Sequence, residues 1–299
     1  MIIRTTQSEL TLLMQHHIHV FKLLCALTIL FFNFNSANAE EKKFALIIGN
    51  SEYQYASPLA NPMNDAIDIS EVLRTLGFDV DIHVNATQEQ MQNATNTFIK
   101  NLNETKGIGL FFYAGHGTQL EGINYLMPVE ANIAEQSEIQ KKGFDVAKLL
   151  NNMRIANNQT NIIILDACRD NPFSTKASQG QRSMSDAATA TNTKNTRGLV
   201  PATKAVSSGL SKLDAPPNTL IAFATAPGRT ADDGHSRNSP YTRELLSTLQ
   251  QEGLSVEQVF KTVRNNVITS SKGKQIPWES SSLVKEFYFK PRKTIPMGW

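Results

Sequence analysis

Cysteine is nearly absent from this chain, with two in 299 residues, Cys25 and Cys168. Cys25 falls in an N-terminal leader, so the remaining protein holds one thiol and forms no internal disulfide. Long hydrophobic runs are missing too. The most apolar stretch, Leu23 to Phe32, has ten residues, where a membrane-spanning helix needs about 20. Charge of one sign is nowhere concentrated. Beyond residue 39 stand 27 basic and 26 acidic residues, with no basic stripe for nucleic acid and no juxtamembrane cluster for lipid. No glycine-rich phosphate loop follows the first apolar run, which argues against a nucleotide-binding fold. No internal repeat stands out. What is present is an ordinary globular composition, 40% apolar and 19% charged, long enough for one sizeable α/β domain.

Lys22 precedes the ten-residue run and Ala37-Asn-Ala39 follows it as a small-x-small cleavage site. Residues 1–39 therefore read as a secretory signal, with Met14 as an alternative start. The expectation is an exported protein, periplasmic or extracellular, without a stable membrane anchor once the leader is cut.

Phe44 to Gly49 is a short apolar run ended by a turn, hence a central strand. Residues 61–76 place apolar side chains at 66, 69, 72, 73 and 76, which is helical spacing capped by Gly77. Further strands are expected at 78–84, 107–114, 161–167, 219–225 and 283–289, with a small hairpin at 119–129. Helices are expected at 88–105, 144–155, 240–251 and 255–270, the last two starting at Ser239 and Ser255. Strands alternating with helices predict a six-stranded, mostly parallel sheet covered by helices on both faces. Residues 174–217 are rich in Ser, Thr, Ala, Asn and Lys without periodicity, and read as a long flexible loop. Its basic residues, Lys176, Arg182, Lys194, Arg197, Lys204 and Lys212, are candidate sites of self-cleavage. Residues 291–299 are a C-terminal tail.

Two of the strands end on reactive side chains. Gly107 to Gly117 closes on Tyr113-Ala-Gly-His116-Gly117, and Asn161 onward closes on Asp166-Ala-Cys168-Arg169. Ligands on parallel sheets bind beyond the C-terminal strand ends, so this pattern describes a cysteine–histidine dyad. A thiolate is a strong nucleophile near neutral pH. An imidazole assists its deprotonation and protonates the leaving amine. The tetrahedral intermediate needs N–H donors for its oxyanion, and the backbone N–H groups of Gly117 and Cys168 are the candidates. The alternative for Cys168 is a small buried hydrophobe.

These motifs resemble the caspase-like cysteine peptidases, the group that holds caspases, metacaspases and bacterial relatives. Phe44-Ala-Leu-Ile-Ile-Gly-Asn50, Asn64-Asp65-Ala66 and Phe223-Ala-Thr-Ala-Pro-Gly228 are similar to bacterial members, and the likeness runs from about Lys43 to Phe289. It implies a caspase-like three-layer sandwich over residues 40–290. It also implies endopeptidase activity on protein or peptide substrates, with His116 as acid–base and Cys168 as nucleophile. Caspases carry a glutamine two residues before the cysteine and cut after aspartate; this chain has Asp166 there, as metacaspases do. Metacaspases bring a second acid, matched by Asp65. Two acids on one pocket imply cleavage after Arg, with Lys second.

The chain departs from the family after the cysteine, where Arg169-Asp170-Asn171-Pro172 replaces the usual Arg-Gly or His-Ser-Gly. That departure keeps open an inactive, caspase-like binding domain as the alternative. The calcium-binding carboxylates of some metacaspases have no secure match, so no metal or cofactor is assigned. His83 and the Asp232, Asp233, His235 group read as a mid-strand residue and a solvated turn. Trp278 reads as a pocket wall or core residue. Monomer and dimer are not distinguished.

Overall fold

The computed structural model describes residues 41–168, 210–227, 229 and 231–292. Residues 1–39, read above as a secretory signal, and the greater part of the loop after Cys168 lie outside these residues. In chain order the elements are β1 (Lys43–Gly49), α1 (Pro62–Thr75), β2 (Asp79–Val84), α2 (Gln88–Thr105), β3 (Ile108–Leu120) and β4 (Ile123–Leu126). There follow a 3₁₀ turn (Gln136–Glu138), α3 (Ile139–Lys142), β5 (Phe144–Asp145), α4 (Val146–Ala156) and β6 (Thr160–Cys168). The chain closes with β7 (Thr219–Phe223), α5 (Pro240–Leu249), α6 (Val256–Ser270) and β8 (Trp278–Ser281).

The main sheet runs β2-β1-β3-β6-β7-β8. Its first five strands are parallel and β8 is antiparallel to β7. Both faces are covered because the middle of each central strand is an unbroken apolar run, and alternate side chains serve opposite faces. Ala45, Ile47, Leu110, Phe112, Ile162 and Ile164 pack under α1, α5 and α6. Leu46, Ile48, Phe111, Tyr113, Ile163 and Leu165 pack under α2 and α4. Each such Leu, Ile or Phe contributes about 1.5–3 kcal/mol when fully buried. The architecture is the three-layer α/β sandwich expected from the sequence.

Local signals set several boundaries. Thr87 and Gln90 form a reciprocal capping box that starts α2, and Ser255 with Gln258 does the same for α6. Gly49 ends β1 where the chain needs a residue without a side chain. A Cβ there would stand 2.3 Å from the Pro62 carbonyl oxygen. That close approach seats the first turn of α1, and with it Asp65, directly over the end of β1.

Three expectations need correction. The sixth strand is Trp278–Ser281, not 283–289. Phe287 and Phe289 turn into the core beside Phe78 and Val256, while Val284 is exposed; their alternation serves helix packing. The strand at 278–281 is polar because an edge strand has less to bury. Trp278 itself is 41% exposed on that edge and does not belong to the buried core. Finally, residues 210–217 pack onto the fold although their composition reads as loop. Leu210 is buried, and Ser211 exchanges hydrogen bonds with Asn124 on β4 (2.6 and 2.9 Å). The cleavage candidates Lys176, Arg182, Lys194, Arg197 and Lys204 lie outside the described residues; Lys212 pairs with Asp214.

Candidate active site

β3 outlasts its neighbour β1. Asn50 N–H donates to Ala114 O at 2.9 Å, and β4 then takes over, with Met127 N–H donating to His116 O at 3.0 Å. At the changeover Gly115 adopts φ +151°, and a Cβ there would meet the Tyr53 and Tyr113 hydroxyls at 2.6 and 2.7 Å. His116 follows, 5% exposed, with its N–H donating to the Tyr53 oxygen. Its Nε2 lies 2.8 Å from the Ser57 carbonyl oxygen. A carbonyl only accepts, so Nε2 carries hydrogen and Nδ1 is the basic nitrogen of the neutral ring.

β6 runs parallel to β3, and its register places Cys168 directly opposite His116. Neighbouring strands stand about 4.8 Å apart, so the two backbones meet at the same step of the sheet. The Cys168 side chain, like Asp170, lies outside the described residues. Gly117 pairs with Leu126 at a step the ladder bonds skip, since the flanking bond is Met127 N–H to His116 O. In antiparallel geometry such a residue directs its N–H away from its partner strand. The Gly117 N–H therefore faces the β6 edge, the side on which Cys168 stands.

Asp65, in the first turn of α1, and Asp166, two residues before Cys168, are both buried. The structure brings them together at Ser239. Ser239 N–H donates to Asp65 Oδ1 (3.1 Å), and its hydroxyl to Asp166 Oδ2 (2.5 Å). Thr242 Oγ1 also donates to Asp166 Oδ2, at 2.8 Å. Burial pushes the Asp65 carboxyl up to about 8, helped by the charge of Asp166 and opposed by Asn238 and Ser239. Burial likewise pushes Asp166 up to about 6 against the hydroxyls of Ser239 and Thr242.

One turn beyond Asp65, Asp68 accepts two bonds from Arg237 (2.9 and 2.7 Å) and one from Asn238 (2.8 Å). This brace holds the loop that carries Ser239. Sequence reasoning found Ser239 as a helix start but not its link to both acids. The N-cap signal is local, whereas the acids come from distant segments.

His116 opens onto a cavity of about 1110 Å³, lined also by Ser57, Leu59, Asp233, His235, Lys272 and Lys274 among others. Asp65 and Asp166 are buried and are not among its described lining residues. Asp232, Asp233 and His235 line this cavity from a turn in which Asp232 and His235 are exposed and Asp232 Oδ1 accepts Gly234 N–H at 2.9 Å, as the sequence reading expected. Asp233 Oδ2 accepts Ala60 N–H (2.8 Å), its carbonyl accepts Asn61 Nδ2, and burial raises its carboxyl. Among the described residues no group of three or more His, Cys, Asp or Glu is arranged to hold a metal ion. His83 lies on β2, 3.0 Å from Asp81 and remote in sequence from these residues.

A family model described as caspase domain, within the C14 peptidases, matches residues 42–288. Human mucosa-associated lymphoid tissue lymphoma translocation protein 1 is 34% identical over 128 residues, which are 42% of this chain and 15% of that protein. The homologous protein of Mus musculus matches to the same extent. The aligned region thus spans about 15% of the length of these curated relatives.

Proposed function

The chain belongs to the caspase-domain family of peptidases, and on that premise we propose an exported cysteine endopeptidase that cuts after Arg in preference to Lys. The observation that carries this reading is the shared register step of His116, where β3 passes from β1 to β4, and Cys168, the last residue of β6. The Cys168 thiolate attacks the scissile carbonyl carbon and forms a C–S bond. The N–H groups of Gly117 and Cys168 hold the oxyanion. As the intermediate collapses the C–N bond breaks, and Nδ1 of His116, protonated in the thiolate–imidazolium pair, gives its proton to the leaving amine. Water, deprotonated by the same nitrogen, then hydrolyses the thioester and releases the acid.

Asp65 and Asp166 supply the preference for a cation at the residue before the cut. A guanidinium approaching the pair favours ionisation of both carboxyls, while an aspartate is repelled. Peptide and protein substrates are the partners this reading requires, and no step calls for a metal or cofactor.

The test is a digest of Arg-, Lys- and Asp-terminated fluorogenic peptides by residues 40–299, with and without calcium. Hydrolysis in the order Arg, then Lys, abolished in Cys168→Ala, is expected. Absence of turnover on all three would leave the binding-domain alternative. Export is tested separately, by fractionating cells that express the full chain and sequencing the N-terminus of the product.

A further inference from the structure

The peptide of His116 lies in a gap between two ladders. Bonding from β1 and the turn after it stops at Ala114, and β4 first reaches β3 at the His116 carbonyl. The His116 N–H, on that same edge, donates to the phenol oxygen of Tyr53 at 2.7 Å. That oxygen lies 3.2 Å from the Tyr113 hydroxyl, which is 2.8 Å from His116 O and 3.1 Å from Met127 O. A peptide N–H only donates and a carbonyl only accepts, which sets the direction of the chain. It runs from His116 N–H to Tyr53, from Tyr53 to Tyr113, and from Tyr113 back to His116 C=O. The relay begins and ends on one residue.

The Tyr53 ring also packs on the imidazole, centroids 4.4 Å apart at 46°. Tyr53 and Ser57 both belong to the loop between β1 and α1, so one loop holds the N–H, the ring face and Nε2 of His116. All three rings are buried, so water does not readily replace a lost hydroxyl. We propose that Tyr53 is a positioning residue for His116, acting through this closed two-phenol relay. The role rests on His116 being the acid–base group.

Tyr53→Phe keeps the ring and removes only the oxygen. On an Arg peptide its kcat is expected to fall about 10- to 100-fold, as for a misplaced acid–base group. Its KM is expected to stay within about twofold. The ¹⁵N imidazole spectrum, assigned by loss of a signal in His116→Ala, is expected to show a single Nε2–H tautomer in the native protein. In Tyr53→Phe it should show a mixture. Tyr113→Phe breaks the relay one link further on, while His116 O keeps its bond from Met127; a smaller loss is expected. Should Tyr53→Phe fail to fold, Tyr113→Phe decides by the same two readouts.

Wild-type kcat together with an unchanged His116 spectrum in Tyr53→Phe overturns the proposal. If the native protein cleaves no peptide, the protease reading falls by itself, and the imidazole spectra still decide whether Tyr53 holds the ring.

Discussion

Asp65 and Asp166 meet at one residue, Ser239, whose N–H binds the first carboxyl and whose hydroxyl binds the second. Two buried acids are thereby held together by a neutral bridge, Ser239. Burial raises both carboxyls, Asp65 to about 8 with help from the charge of Asp166, and Asp166 to about 6 with help from Asp233, which leaves the pair partly protonated at neutral pH.

That state makes stability fall with pH. Both folded pKa values lie above the unfolded value of about 3.9, so between about pH 4 and pH 8 the unfolded chain binds fewer protons than the folded one. The slope contributed by the pair is negative. Asp65→Asn keeps an acceptor for Ser239 and removes the Asp65 titration. Its stability relative to wild type should therefore rise with pH, by at least about 1 kcal/mol at pH 8. Urea denaturation of both proteins at pH 5, 6.5 and 8 measures this. A difference that does not change with pH counts against the buried pair.

Cation binding should run the other way. A guanidinium favours the ionised pair, so binding releases protons and tightens as pH rises from 6 to 8, by up to about tenfold per pH unit for each proton released. Calorimetry with an arginine-amide inhibitor in two buffers of different ionisation enthalpy reports that release. Asp166→Asn should weaken the binding and flatten its pH dependence.

Gly115 tests the turn before the histidine. Alanine there adopts an unfavoured φ and drives its Cβ into the Tyr53 and Tyr113 oxygens. The expected cost is about 1–3 kcal/mol from the backbone alone, with peptide hydrolysis lost even at temperatures where the variant remains folded. Full activity in Gly115→Ala would mean that the turn has slack.

Asn50 ties three segments. Its side chain accepts from Ala86 N–H (2.8 Å) and donates to Met127 O (3.0 Å), with no exposure to water. Asn50→Ala leaves a buried donor unpaired and weakens the partners of Met127 O. The cost is about 1–3 kcal/mol, a fall in Tm of roughly 5 °C for a domain of this size, read by thermal denaturation.

Much of the architecture is legible in the chain. The spacing of residues 88–105 marks α2 at its observed bounds, because an amphipathic helix writes its period into the sequence. Apolar runs at 44–49 and 161–167 mark central strands, since only strands covered on both faces lack alternation. The edge strand at 278–281 is not legible; it is polar and owes its pairing to the free edge of β7. The docking of Leu210 and Ser211 is hidden by loop composition. Asp233 passes for a turn residue, because its partners Ala60 and Asn61 lie far away in the chain.

The order of the residues alone put His116 and Cys168 just after apolar runs and put acids at 65 and 166, since hydrophobic runs and their terminators are local properties; that β3 continues past His116 to Leu120 was not legible there. Which strands are neighbours, at which step these two residues face each other, which imidazole nitrogen is basic and how far burial raises the acid pair were decided only in three dimensions. Those outcomes depend on contacts and desolvation between segments that the sequence holds far apart.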